Sequence, residues 1–306
     1  MEKLDNIMVC MDLTEMDDFL ISYASYLVEQ TDAKKIYFLH LLQNYDLPAE
    51  ILSEFPDLKR PISKVLQEEL EENVAKNFSH QESIETEVVV EEGVKSDTLL
   101  QFTREHKINL TVFGKKVGYQ GSGALPRRVM PLTPSSVILV SETVFPKIEK
   151  IMVRIDFSKM SEIAMKTAIQ LSEYTGAQLI ALHAYRIPIS HFPQYSHDDE
   201  KRLQQKMTKH SEKEYEKFMK KLKLDPKAIP CAFLYDRNYQ EAQLLYHYGL
   251  KNHVDLIMIG SKIKSELANV ILDRTSEELA EVEKNIPVLI VKDRKQTLGF
   301  LEALFD

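Results

Sequence analysis

The chain has 306 residues, 44% hydrophobic and 28% charged, the balance of an ordinary globular protein rather than a disordered or low-complexity one. Its net charge of −8 is shared unevenly: residues 1–146 carry 14 basic and 24 acidic side chains, and residues 147–306 carry 25 and 23. Neither half supplies the basic field that a phosphate backbone needs, so no nucleic acid is expected, and no apolar run nears the ~20 residues of a membrane span.

The opening "MEKLDNIMVC" is acidic and passes straight into a strand-like run, unlike a signal peptide, so the expected address is cytoplasmic. Cys10 and Cys231 both sit within apolar runs and are expected as buried thiols, not as a disulfide.

In chain order, Ile7–Met11 predicts a first strand, followed by Asp12, Thr14 and a helical pattern, and Ile36–Leu42 predicts a second. Ile62, Leu66, Leu70, Val74 and Phe78 then form a stripe at spacing four, with Glu68, Glu69, Glu71 and Glu72 between them, as on an amphipathic surface helix. Val88–Val90, Leu110–Phe113 and Val137–Val140 complete five short apolar runs, suited to strands buried on both faces of a parallel sheet.

Pro146 marks a break, after which the pattern begins again. "NIMVCMDLTEMDDFLISYASYLVEQTDAKKIYFLHLLQ" from Asn6 matches "KIMVRIDFSKMSEIAMKTAIQLSEYTGAQLIALHAYRI" from Lys150, pairing Asp12 with Asp156 and His40 with His183. "NLTVFG" likewise matches "DLIMIG", and "SSVILV" matches "IPVLIV". The second amphipathic helix places Leu203, Met207, Phe218 and Leu222 among lysines, and both charged helix faces read as solvated. The expected fold is therefore α/β, with two tandem doubly wound parallel five-stranded sheets in domains 1–146 and 147–306. The tail "KDRKQTLGFLEALFD" predicts a turn and a short helix whose Leu298, Phe300, Leu301, Leu304 and Phe305 cap an apolar surface.

Open parallel sheets bind ligands past the carboxyl ends of their strands, where strand order reverses. Asp12 and Asp156 end the first strand of each half, and a carboxylate there can accept from an exocyclic amine or a ribose hydroxyl. Thr14 and Ser158 read as helix N-caps. "GKKVGYQGSG" then concentrates four of the nine glycines, Gly114, Gly118, Gly121 and Gly123, beside Lys115 and Lys116. Such a run can bring backbone N–H groups against a phosphate or can simply turn tightly, and both readings stand. The second half keeps Gly260 but places Ile263, Asp273 and Arg274 where a phosphate cradle wants small residues, and an Asp repels phosphate.

His40 and His183 read as hydrogen-bonded structural residues. His191 and His197, with Asp198 and Asp199, fit no standard metal spacing and read as a plain loop. There is no Gly-x4-Gly-Lys-(Ser/Thr), Gly-x-Ser-x-Gly or His-Glu-x-x-His, so no catalytic residue is expected.

Across nearly the whole chain, the two aspartates, the "LH" of each second strand, "NLTVFG" with "DLIMIG" and "VILV" with "VLIV" resemble the universal stress protein family in tandem form. An ATP-binding branch of that family carries Gly-x2-Gly-x9-Gly-(Ser/Thr) after strand four. Here Gly114 matches its first glycine, Val117 stands for the second, and Gly121-Ser122-Gly123 comes early. The resemblance implies adenine contacts at Asp12 and the backbone of Leu41, and phosphate contacts at Gly114, Gly118, Gly121, Ser122 and Gly123. It implies ATP or another adenine nucleotide in the first domain only, with no metal beyond nucleotide-associated Mg. It also implies pairing through the fifth strands as an internal pseudo-dimer, with a homodimer as a further option. The expected function is that of a stress-response regulatory or binding protein. A nucleotide-free scaffold for protein partners and a slow ATP hydrolase are the alternatives.

Overall fold

A computed structural model describes residues 4–43, 61–116, 124–188, 196–261, 263–266, 269–281, 285–295 and 297–298. The chain divides into two compact units, one of residues 2–146 with 265–271 and 293–306, the other of 147–264 with 272–292.

The first unit runs β1 (Asn6–Met11), α1 (Met16–Glu29), β2 (Lys35–Leu42), α2 (Ile62–Asn77), β3 (Glu85–Glu92), α3 (Lys95–Glu105), β4 (Leu110–Lys115), α4 (Ala124–Val129) and β5 (Ser136–Ser141). Its strands are parallel in the order β3-β2-β1-β4-β5, with Ile7 level with Ile36 on one side and Leu110 on the other. Strand order reverses between β1 and β4, which creates the crevice of a doubly wound sheet.

The second unit repeats this plan. Its stretch of chain runs β6 (Lys150–Arg154), α5 (Lys159–Thr175), β7 (Gln178–Tyr185), α6 (His197–Lys221), β8 (Cys231–Tyr235), α7 (Glu241–Lys251), β9 (Leu256–Gly260), β10 (Ile263–Glu266), β11 (Asn269–Leu272), α8 (Arg274–Glu281) and β12 (Val288–Val291), of which residues 265–271, in β10 and β11, group with the first unit. Its parallel order is β8-β7-β6-β9-β12, reversing between β6 and β9. β10 and β11 form a separate two-stranded sheet that the apolar pattern does not predict.

The first strands form the centre of each core. Ile7, Met8 and Val9 in β1, and Ile151, Met152 and Val153 in β6, have no exposed surface. Burial on both faces explains why these runs are continuously apolar rather than alternating, and each such side chain contributes roughly 1.5–3 kcal/mol. The stripe on α2 is buried at Leu70, Val74 and Phe78, whereas Ile62 at its start is exposed.

Ser158 caps α5 by accepting from the Ser161 N–H at 3.3 Å, and Gly176 ends that helix in the left-handed region at φ 71°, where a β-carbon is disfavoured. Thr14 serves differently. It accepts from the Met16 N–H at 3.3 Å while its hydroxyl donates to Asp12. His197, Asp198 and Asp199 belong to the first turn of α6 rather than to a loop, held by a reciprocal capping box between Ser196 and Asp199. His191 lies outside the described residues.

Both cysteines are free thiols, and burial raises the pKa of each, that of Cys231 to about 12. The tail is helical at 294–295 and 297–298, and Phe300, Leu301, Leu304 and Phe305 lie outside the described residues.

Candidate functional site

In the first unit the carboxyl ends of β1, β2 and β4 converge on Asp12. Met11 pairs with His40 in register, so Asp12 follows level with Leu41 where β2 runs on past the end of β1. Cys10 pairs with Phe113, which places Gly114 level with Met11. Lys116 Nζ lies 3.0 Å from Asp12 Oδ2, with the aspartate side chain half exposed at 51%. The fold thus brings Asp12, Leu41 and Gly114 to one mouth. Gly118, Gly121, Ser122 and Gly123, together with Tyr119, lie outside the described residues.

The bend that turns Asp12 out of the strand is made at Leu13, whose φ of 60° is left-handed and unfavourable for a residue with a β-carbon. Asp17, in the first turn of α1, holds this bend. Its two carboxylate oxygens accept from the N–H groups of Asp12 and Leu13, each at 2.9 Å. Asp17 is almost fully buried, and that desolvation lifts its pKa to about 6 although the two N–H donors pull the other way.

Gly114 has a packing reason of its own. A β-carbon there would lie 2.7 Å from Met16 Cγ, so the glycine lets the first turn of α1 settle on the end of β4. Gly260 does the same in the second unit under a harder constraint, since its β-carbon would lie 2.2 Å from the backbone oxygen of Met160.

His40 and His183 are structural, as their placement predicts. Each Nδ1 donates to the carbonyl of the residue ending or following the first strand, Met11 at 3.1 Å and Ile155 at 2.8 Å. Burial lowers both pKa values, which keeps the rings neutral near pH 7.

The second mouth has the same bend but different chemistry. Phe157 has a φ of 60° like Leu13, and its ring packs on His183 at 4.5 Å. Arg154, the last residue of β6, donates from Nη1 to Asp156 Oδ2 at 2.8 Å and from Nε to Glu241 Oε1 at 2.8 Å. Thr275 at the start of α8 donates to the other oxygen of Glu241 at 3.0 Å. Asp156 also accepts from the hydroxyl of Ser161 and from the Ser158 N–H. Burial raises its pKa, but Arg154 and these donors outweigh that and hold it down to about 2.

Asp273 is equally committed, accepting from Ser261 at the end of β9 and from Ser276 in α8. The spacing singles out Asp156 and Asp273 but not Arg154, Glu241 or Asp17, which complete the two mouths. A cation ending an apolar strand, in "KIMVRID", was the legible sign of Arg154.

Among the described residues no group of three His, Cys, Asp or Glu side chains could hold a metal ion, and no described helix is long and apolar enough to cross a membrane.

The family model described as "Universal stress protein family" matches residues 3–141 and again 147–292. This chain belongs to the universal stress protein family. The two matches make it a tandem member, as the internal repeat predicts.

Among solved structures, the chain is similar to a functionally unknown protein from Pseudomonas aeruginosa PAO1, at 11% identity and a TM-score of 0.66, covering 98% of this chain and 97% of that one. It is similar to a putative universal stress protein from Pseudomonas aeruginosa UCBPP-PA14, at 11% identity and a TM-score of 0.65, covering 99% and 98%. A universal stress protein from Archaeoglobus fulgidus DSM 4304 follows at 12% identity and a TM-score of 0.58, covering 95% and 97%. At such identities the likeness establishes the tandem fold alone. A comparison with curated proteins finds no match.

Proposed function

We propose that this universal stress protein is a cytoplasmic stress-response regulatory or binding protein, with domains 1–146 and 147–306, that holds one adenine nucleotide in the first domain. One contrast carries the reading. The carboxylate of Asp12 is half exposed and meets the hydroxyl of Thr14 on one oxygen and the ammonium of Lys116 on the other, whereas that of Asp156 is more deeply set and engaged by Arg154, Ser158 and Ser161.

The first mouth fits such a ligand chemically. Asp12 can accept from an exocyclic amine or a ribose hydroxyl, beside the backbone of Leu41, without changing protonation. Lys116 follows the end of β4 beside Asp12, and Gly114, Gly118, Gly121, Ser122 and Gly123 are proposed to receive phosphates, with any Mg arriving on the nucleotide. The second mouth does not fit, because Arg154, Ser158 and Ser161 already engage both oxygens of its aspartate and Asp273 opposes phosphate.

The test is mass spectrometry of small molecules released by denaturing the purified protein, with calorimetric titration of ATP, ADP and AMP. One nucleotide per chain, lost in the double variant Asp12→Ala, Gly121→Val, is the expected result. Two per chain would overturn the assignment to one domain. No nucleotide and no heat of binding, in folded protein, would leave the scaffold reading. Phosphate release that disappears in the same variant would add slow hydrolysis.

A further inference from the structure

β8 ends the sheet of the second unit with an open edge. The carbonyl of Pro230 accepts from Ala181 and the N–H of Asp236 donates to Tyr185, both at 2.8 Å. By the two-residue period of a strand, the backbone of Ala232 and Leu234 also faces β7, and that of Cys231, Phe233 and Tyr235 faces away. Among the described residues no strand lies on that side.

Edge strands are usually guarded by charge. β3, the edge of the first unit, carries Glu85, Glu87, Glu91 and Glu92 within eight residues, and the Gln67 amide of α2 donates to its Val88 carbonyl at 3.4 Å. β8 reads "CAFLY" and has no charged residue.

A groove of about 460 Å³ runs between this edge and α6. Its floor is aromatic, with Tyr215 and Phe233 ring to ring at 6.1 Å. Its rim holds three carboxylates, Glu212, Glu216 and Asp225, against one ammonium, Lys227. Glu212 and Glu216 are exposed.

We propose that β8 and this groove form a docking site for an extended basic segment of a partner protein, which adds to the sheet as a further strand. Main-chain bonds to Cys231, Phe233 and Tyr235 supply the pairing, as in other cases of strand addition. Side chains on the α6 side of the added strand enter the groove at every second position. Lysine or arginine there lays its aliphatic stem on Tyr215 and Phe233 and carries its charge to Glu212 and Glu216. A second copy of this chain is disfavoured as occupant. β8 against β8 would bring two acidic rims together, and β8 against another copy's β3 would set that rim against four glutamates.

The experiment uses the full chain and the peptide acetyl-Lys-Val-Lys-Val-Lys-Val-amide, with its Glu-for-Lys counterpart and a version methylated at every backbone nitrogen. Binding of the lysine peptide is expected to slow amide exchange at Cys231, Phe233 and Tyr235, and to be about tenfold or more tighter than either control. The exposed double variant Glu212→Lys, Glu216→Lys should lose the same factor while keeping its unfolding midpoint. Equal binding of the glutamate peptide, or unaltered exchange at the three amides under saturating lysine peptide, would overturn the proposal. Protection of these amides that grows with protein concentration alone would overturn it in favour of self-pairing.

Discussion

Arg154 Nε lies 2.8 Å from Glu241 Oε1, joining the end of β6 to the first residue of α7. Cys10 occupies the corresponding place in β1, with an uncharged thiol whose pKa desolvation raises, so the two repeats part company at this position. Replacing Arg154 by Met would leave Glu241 and Asp156 without their cation. The expected cost is about 3–5 kcal/mol in urea unfolding, with most of it regained in Arg154→Met, Glu241→Gln, because an uncompensated buried charge is worse than a neutral pair. A single variant as stable as the natural protein would mean that solvent, not Arg154, satisfies the two carboxylates.

The glycines that close β4 and β9 should differ in tolerance. Gly260→Ala sets a β-carbon against backbone, 2.2 Å from the Met160 oxygen, and should cost about 3 kcal/mol or more by forcing α5 away from the sheet. Gly114→Ala meets side chain and not backbone, at Met16 Cγ, and should cost less, about 1–2 kcal/mol, because a side chain can shift more readily than a helix backbone. Thermal unfolding of both variants measures the difference, and equal losses would contradict it.

Asp17 gives the first unit a distinctive pH response. Its pKa rises from 3.8 in the unfolded chain to about 6 in the folded one, so the native state binds more protons between those values and this group's contribution falls as pH rises. Relative to Asp17→Asn, the natural protein should lose up to about 3 kcal/mol on going from pH 4 to pH 7. His40 and His183 act in the opposite sense. Their lowered pKa values contribute stability that is complete above about pH 6.5 and is lost as pH falls toward the folded values. Comparing the two proteins at each pH cancels the histidines, and a flat difference would exclude the raised pKa of Asp17.

Lys116 and Asp12 form a partly exposed pair, worth at most about 1 kcal/mol to folding. Lys116→Ala should therefore leave the unfolding midpoint nearly unchanged. If the first mouth holds a nucleotide, the same variant should weaken ATP about tenfold and adenosine much less, since an ammonium that leaves Asp12 for a phosphate would add a charge-assisted bond that adenosine lacks. Calorimetry with both ligands separates these outcomes.

Much of the molecule is legible in its sequence. The five apolar runs per half, the turn after each first strand and the repeat pairing Asp12 with Asp156 and His40 with His183 all follow from local patterns, because burial on both faces demands uninterrupted apolar residues. The twofold family match and the whole-chain structural likenesses agree with that reading. Less visible was the job of each polar residue. Asp17 reads as one more acid in "MDD", yet it anchors the bend at Leu13, and Glu241 lies 87 residues from the arginine it neutralises.

The sequence by itself therefore determined the parallel sheets, their repeat and the ends of the strands where ligands can gather, since these depend on hydrophobic period and on neighbours a few residues away. Only the tertiary structure decided that Asp156 is already engaged while Asp12 stays half exposed, and that β8 leaves its outer edge open beside an acidic groove. Those properties arise from charges and backbone groups brought together across tens of residues, where distance and desolvation, not residue type, set what each group is free to bind.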